Sequence, residues 1–306
     1  MTAREETVRA GRRGIPLHRP GKVLFPDDGL TKRDLAHYHR AAARVMLPHL
    51  RGRPLMMLRH PDGIDDGAVV QKHVPDHFPD WIRRAEMPKE GGTVTHVLCE
   101  DTATLVYLAD QACVTPHRWL SRADRPDHPD RLVFDLDPAE GTGFADVRWT
   151  ARRLRALLEE ELELPTRLMT TGSKGLHVLV HLDRRAGFDA VREFAADVAG
   201  LLAARHPERL TTRQRKTERR GRVYLDVQRN GYAQTAVAPY AVRALPGGPL
   251  AVPVSHDELD DPELTPRRWT LAEPGDRLEK DPWHGLPSRG RGLRAARRRL
   301  DAVRMA

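Results

Sequence analysis

The sequence is poor in cysteine, in lysine and in long apolar runs, and each shortage excludes something. Only two cysteines occur, Cys99 and Cys113, with no C-x-x-C spacing. That argues against a disulfide framework and a zinc knuckle, and fits a chain that works in a reducing cytoplasm. No apolar stretch approaches the roughly 20 residues that a membrane-spanning helix needs. The N-terminus is charged and lacks the apolar core of a signal peptide, so no membrane association is expected. No internal repeat is visible.

What is abundant is arginine. Lys+Arg number 51 against 43 Asp+Glu, for a formal charge of +8 and a pI of about 9.8. An excess of cations favours a polyanionic partner, most simply nucleic acid. An Arg-, Ala- and Pro-rich composition is also what a GC-rich genome produces, so charge alone does not decide. The 306 residues suffice for a full core. Residues 1–15 are polar and basic and are expected as a loose arm. Residues 16–306 show no composition break and are expected as a single domain.

Along the chain, residues 21–26 read as an extended segment and Asp27-Asp-Gly29 as a turn. Thr31 reads as the N-cap of a helix with Leu35, Tyr38, Ala42 and Val45 at helical spacing, ending near Leu47, before Pro48. Residues 52–59, 68–74 and 94–99 suggest strands, and residues 101–114 a helix. After an apolar strand at 132–136, Val147, Ala151, Leu154, Leu158 and Leu162 form an amphipathic helix. Residues 166–171 and 176–182 read as strands, and Val191, Phe194, Val198 and Leu202 as a second amphipathic helix. A basic run covers 209–222. Val223–Val227 is a strand with which residues 235–242 are expected to pair, and an Arg-rich helix closes the chain. Helices and strands mix without strict βαβ alternation, which predicts an α+β fold with a largely antiparallel sheet backed by helices.

The chemistry gathers at Arg131-Leu-Val-Phe-Asp-Leu-Asp-Pro138. Side chains alternate along a strand, so Asp135 and Asp137 share a face. Two ionised carboxylates so close repel, and a hard divalent cation relieves that cost. A bare D-x-D is more often a cap and a solvated acid; three further features shift the balance. Asp226 faces away from the apolar residues of its own strand. Thr171-Gly-Ser-Lys-Gly-Leu-His177 offers backbone N–H groups, hydroxyls and a lysine to a phosphate, without the spacing of a Walker A loop. The basic run 209–222, with Arg229 and Arg243 beyond it, supplies cations. Three carboxylates, such a turn and arginines together are what phosphoryl or nucleotidyl transfer needs.

These stretches, with Val223-Tyr-Leu-Asp-Val-Gln-Arg-Asn230 and Thr235-Ala-Val-Ala-Pro-Tyr-Ala-Val-Arg243, resemble the polymerase domain of bacterial ATP-dependent DNA ligase D, of the archaeo-eukaryotic primase superfamily. Lys22-Val-Leu-Phe-Pro, Leu30-Thr-Lys-Arg-Asp34, Gly52-Arg-Pro54 and Gln111-Ala-Cys-Val-Thr-Pro-His117 extend the resemblance over nearly the whole chain. It implies a primase-like fold and a polymerase that extends DNA 3′ ends and fills gaps with NTPs during non-homologous end joining, preferring ribonucleotides. It implies a two-metal site holding Mn²⁺ (or Mg²⁺) on Asp135, Asp137 and Asp226, with Asp226 also helping to activate the primer 3′-hydroxyl. Thr171, Ser173, Lys174, His117, Arg229 and Arg243 are then expected on the triphosphate. Lys22 and Lys32 are expected on the 5′-phosphate of the downstream strand, and Arg219 or Arg220 on template or primer. Ku and a separate ATP-dependent ligase are the expected partners, with the chain a stand-alone polymerase in the nucleoid-containing cytoplasm. The rivals are a primase that starts chains without a primer and a non-catalytic module bridging DNA ends. Two positions depart from the family pattern. Val69-Val70 precedes Gln71-Lys72 where an aromatic pair is usual, and Leu58 stands where some members place a lysine for the ribose.

Overall fold

The structure, a computed structural model, describes residues 6–287 and 289–305. Residues 1–5 of the expected loose arm lie outside the described residues. The rest of that stretch is a hairpin, β1 (Glu6–Ala10) pairing antiparallel with β2 (Arg13–Leu17) across a turn in which Gly11 has φ +63°. Val8, Ala10, Ile15 and Leu17 are buried at every second position. Arginines between them masked a half-buried pair of strands.

The chain forms two compact units, where composition marked no boundary. The first takes in the chain up to Trp119, then Thr235–Val252 and Arg268–Asp281; the second takes in Leu120–Gln234, Pro253–Arg267 and the chain from Pro282. In the first, β3 (Val23–Phe25) and β4 (Leu30–Thr31) lead into α1 (Lys32–Leu50). Thr31 caps α1 as expected, and Asp34 returns the bond by accepting the Thr31 N–H at 2.7 Å. The helix does not stop at Leu47. Pro48 sits in its last turn, where a missing N–H costs a single bond, and Arg51 N–H closes the end on the Leu47 carbonyl. Strands β5 (Leu55–Arg59) and β6 (Val69–Gln71) follow, then the hairpin β7 (Arg84–Lys89) and β8 (Gly92–Val97). Helix α2 (Thr102–Asp110) is shorter than expected. Ala112, at φ +54°, turns the chain into strand β9 (Cys113–Trp119), whose β-branched Val114 and Thr115 suit a sheet.

The second unit opens with β10 (Arg131–Asp137), as expected, then α3 (Phe144–Ala156), which continues as a wider π-turn over Leu157–Glu161. Strands β11 (Thr166–Thr170) and β12 (Leu176–His181) form a hairpin, followed by α4 (Phe188–Arg205). Then come β13 (Leu210–Thr211), the single turn α5 (Lys216–Arg219) and β14 (Val223–Asp226). The chain returns to the first unit for β15 (Thr235–Val237), β16 (Ala241–Val242) and β17 (Leu250–Ala251). It ends in the second with β18 (Pro253–Val254) and α6 (Leu293–Met305).

Each unit has its own main sheet. The first runs β15-β9-β5-β6; the second runs β13-β14-β10-β12-β11-β18, antiparallel except for β13 with β14. Residues 235–242 do not pair with β14. Both edges of β14 are already filled, by β10 and β13, so β15 pairs with β9 and β16 with β17. Within the second unit α3 and α4 pack against β10. The expected α+β character and largely antiparallel pairing are both present.

Candidate active site

Strand β10 is central in its sheet, and its position explains the site. Leu132, Val133, Phe134 and Leu136 are fully buried and fix it in the core. Asp135 lies directly opposite Asp226 on β14 and opposite His177 on β12, while Asp137 lies opposite Tyr224. Cross-strand partners share a face, so Asp135, Asp137, Asp226, Tyr224 and His177 emerge together. Ligand oxygens of the three aspartates lie within 4.8 Å of one another. Asp226 accepts the Gln228 N–H at 2.8 Å and the Tyr224 hydroxyl at 3.4 Å. His177 Nε2 stands 3.5 Å from Asp135 Oδ2, and its ring is buried.

Burial, and then the charges of Asp135 and Asp226, push the Asp137 carboxyl up to about 6, against the opposing pull of Arg219 and His177. Burial and Asp226 push the Tyr224 phenol up to about 12. Three carboxylates this close, one of them pushed up, are a donor set that a cation stabilises. An all-oxygen set suits hard divalent ions such as Mg²⁺ or Mn²⁺ rather than thiophilic ones. The residues present therefore fit a divalent metal centre, with Asp135, Asp137 and Asp226 as its protein ligands.

The turn between β11 and β12 sits at the same end of the sheet. Thr171 organises it: its hydroxyl accepts the Gly175 N–H and donates to the Gly175 carbonyl, both at 3.1 Å. A Cβ on Gly175 would stand 2.2 Å from the Leu136 carbonyl oxygen, so the close approach of turn to β10 requires glycine. Ser173 is half-buried and Lys174 exposed. The Ser173 carbonyl accepts from Nε of Arg267 at 3.0 Å. Off the C-terminal end of β10 opens a cleft of about 900 Å³, bounded by residues 138–144, this turn, α5 and residues 265–267. Lys174, Lys216, Arg219 and Arg267 line it against a single acid, Glu140. Arg219 also lies over the Tyr224 ring, 4.3 Å from its centre. Arg220, at φ +47°, is exposed, and Arg229 is half-buried in the turn Gln228–Asn230 after β14.

The remaining expected residues belong to the first unit. His117 on β9 stands between Met56 on β5 and Val237 on β15. Arg243 follows β16, its N–H bonded to the Pro249 carbonyl. Lys22 bonds Asp62 at 2.6 Å. Lys32 is buried, donating to the His18 carbonyl at 2.6 Å and standing 3.4 Å from Asp110. Burial pulls its ammonium below the usual lysine range, with Asp110 opposing. Val70 is 58% exposed and pairs with Leu58 across β5 and β6.

Residues 31–283 match the family described as LigD, primase-polymerase domain. The chain belongs to this family. Among its relatives, the multifunctional non-homologous end joining protein LigD of Mycolicibacterium smegmatis is 34% identical over 268 residues, covering 87% of this chain and 35% of that protein. The LigD of Pseudomonas aeruginosa is 32% identical over 295 residues, covering 95% of this chain and 35% of that one. The chain thus spans about a third of the length of these relatives. A solved polymerase domain of Mycobacterium tuberculosis ligase D in complex with DNA superposes with a TM-score of 0.82 at 34% identity, covering 88% of this chain and 95% of that one.

Within this LigD primase-polymerase fold, several site residues escaped the sequence. His177 stood in a noted turn motif, but only the register of β12 on β10 sets it opposite Asp135. Tyr224 shares parity with Asp226, a signal that was available. Arg267 is 94 residues from Ser173, and no local pattern connects them. Asn230 is fully buried; its amide accepts the Val133 N–H and donates to the Val133 carbonyl, continuing the pairing of β10 past the end of β14.

Proposed function

We propose that the chain is a metal-dependent nucleotidyltransferase that extends DNA 3′ ends and fills gaps with NTPs in non-homologous end joining. The observation that carries this reading is the triad Asp135, Asp137 and Asp226, with oxygens within 4.8 Å, beside Pro138, where a cation-lined cleft begins. Mn²⁺ or Mg²⁺ bound there supplies charge stabilisation to the attacking and leaving oxygens of an in-line displacement. The chain's own residues do the rest. Thr171 shapes the turn that presents Ser173 and Lys174 to the triphosphate, and Lys174 offsets its charge. Asp226 helps to draw the proton from the primer 3′-hydroxyl. The 3′-oxygen then bonds to the α-phosphorus, the bond to the β-phosphate breaks, and pyrophosphate leaves.

His117, Arg229 and Arg243 are assigned to the triphosphate as well, and Arg219 and Arg220 to template or primer. Lys22 and Lys32 are assigned to a 5′-phosphate. Lys22 is the more accessible of the two, since Lys32 is buried against Asp110. Ribonucleotides are preferred by a narrower margin than is usual in the family, because Leu58 offers a ribose hydroxyl no donor, and nucleotides of both kinds bind more weakly because Val70 offers a base no π face. Ku and a DNA ligase activity are the proposed partners, at DNA ends in the nucleoid.

The test is incorporation of labelled NTP on 5′-phosphorylated gapped DNA with Mn²⁺. Asp135→Ala or Asp137→Ala is expected to lose at least about 10²-fold in rate, since each removes several kcal/mol of transition-state stabilisation. DNA affinity should survive. Normal turnover by Asp137→Ala would overturn the assignment. Synthesis on single strands without a primer would favour the primase reading, and no incorporation by the wild type the bridging one.

A further inference from the structure

We infer that Arg267 is a triphosphate-binding residue, holding the phosphate turn with one edge of its guanidinium and the nucleotide's phosphates with the other. The inference rests on the nucleotidyltransferase reading and names a group that the motifs do not contain. Its geometry is specific. Nε of Arg267 donates to the Ser173 carbonyl at 3.0 Å, which anchors the side chain at the lip of the turn between β11 and β12. Its two Nη groups make no hydrogen bond to any described residue, and the side chain lines the cleft that Lys174, Lys216 and Arg219 share. A guanidinium has five donors in a planar fork, and here one is used. Four cations line a cleft of about 900 Å³ with Glu140 as the lining acid, a balance of charge that suits an anionic ligand.

The alternatives are separable by chemistry. A guanidinium that only braced the turn needs a donor at the Ser173 carbonyl and no charge. One that bound the DNA backbone needs charge and would act on every phosphodiester, with an effect on the salt dependence of DNA affinity. Binding the triphosphate needs charge and leaves DNA affinity alone. Arg267 is exposed and tied by one hydrogen bond, so its replacement spares the core.

Inorganic tripolyphosphate is the probe, measured by calorimetry and by competition against NTP incorporation on gapped DNA, with DNA affinity determined in parallel. Arg267→Ala and Arg267→Gln are both expected to weaken tripolyphosphate roughly tenfold or more, the scale of one charge-assisted hydrogen bond. They should raise the KM for NTP by a similar factor while leaving gapped-DNA affinity within about twofold. Arg267→Lys, which keeps the charge, should recover most of the loss. Wild-type tripolyphosphate affinity in Arg267→Gln overturns the inference in favour of a brace. A fall in DNA affinity with tripolyphosphate binding unchanged overturns it in favour of a backbone contact. Either result leaves wild-type incorporation standing, whereas a wild type that neither incorporates NTP nor binds tripolyphosphate sinks the underlying reading instead.

Discussion

Asp137 carries an electrostatic conflict at the candidate metal site. Its carboxyl titrates at about 6 rather than the ordinary 3.8. Between those values the folded chain holds a proton that the unfolded chain has released, so this group's stabilisation is present in acid and is lost as pH rises through about 6. Asp137→Asn removes the penalty. In chelator at about pH 7.5 the variant is expected to melt above the wild type, by roughly 2–4 °C for each 1 kcal/mol relieved, with the gap closing near pH 4. Added Mn²⁺ should raise the wild-type melting temperature more than the variant's. Identical melting of both proteins in chelator at pH 7.5 would show that the carboxylate is not strained. At this scale the sequence was informative where a rule is local. The shared face of Asp135 and Asp137 follows from a two-residue period, and the glycines of residues 172–175 from a turn. Gly175 is required by the approach of the Leu136 carbonyl, a meeting of strands that no local pattern encodes.

Among the elements, β10 is decisive, and what flanks it explains both successes and errors. Its apolar run and terminal Pro138 made the strand legible, but not its neighbours. Thr235–Val237 looked like a partner for β14 because the two are close in sequence; the structure gives that edge to β13 and sends Thr235–Val237 to β9. Residues 101–114 read as one helix because apolar spacing there fits both periods, and Ala112 at φ +54° breaks it. The end of β14 is completed by a side chain: Asn230 takes the place of a backbone partner for Val133 and also donates to the Val227 carbonyl. Asn230→Ala strands the buried Val133 groups, at about 1–3 kcal/mol for each left unpaired. It is expected to lower the urea midpoint and to reduce incorporation by loosening Asp226, four residues earlier. A variant with unchanged midpoint and rate would show that the amide bridge is dispensable.

For the whole molecule, the +8 charge favours a polyanionic partner, and salt dependence gives that expectation a measure. The DNA affinity of the chain should fall linearly on a log–log plot against salt, and each DNA phosphate that a variant no longer neutralises should shallow the slope by roughly 0.9 on duplex. Arg219→Ala with Arg220→Ala is expected to shallow it by the equivalent of one or two phosphates. An unchanged slope would make the basic run 209–222 a solvated loop. Division into two units was not legible, because each is discontinuous in sequence and the chain passes between them without a change of composition. That discontinuity has a consequence during synthesis. The sheet of the first unit takes its edge strand, Thr235–Val237, from beyond the whole of residues 120–234. A nascent chain therefore leaves the ribosome with β9 as an open edge, its groups on the side away from β5 unpaired, until more than a hundred later residues have emerged. For that interval the growing protein exposes an aggregation-prone edge that its finished form conceals.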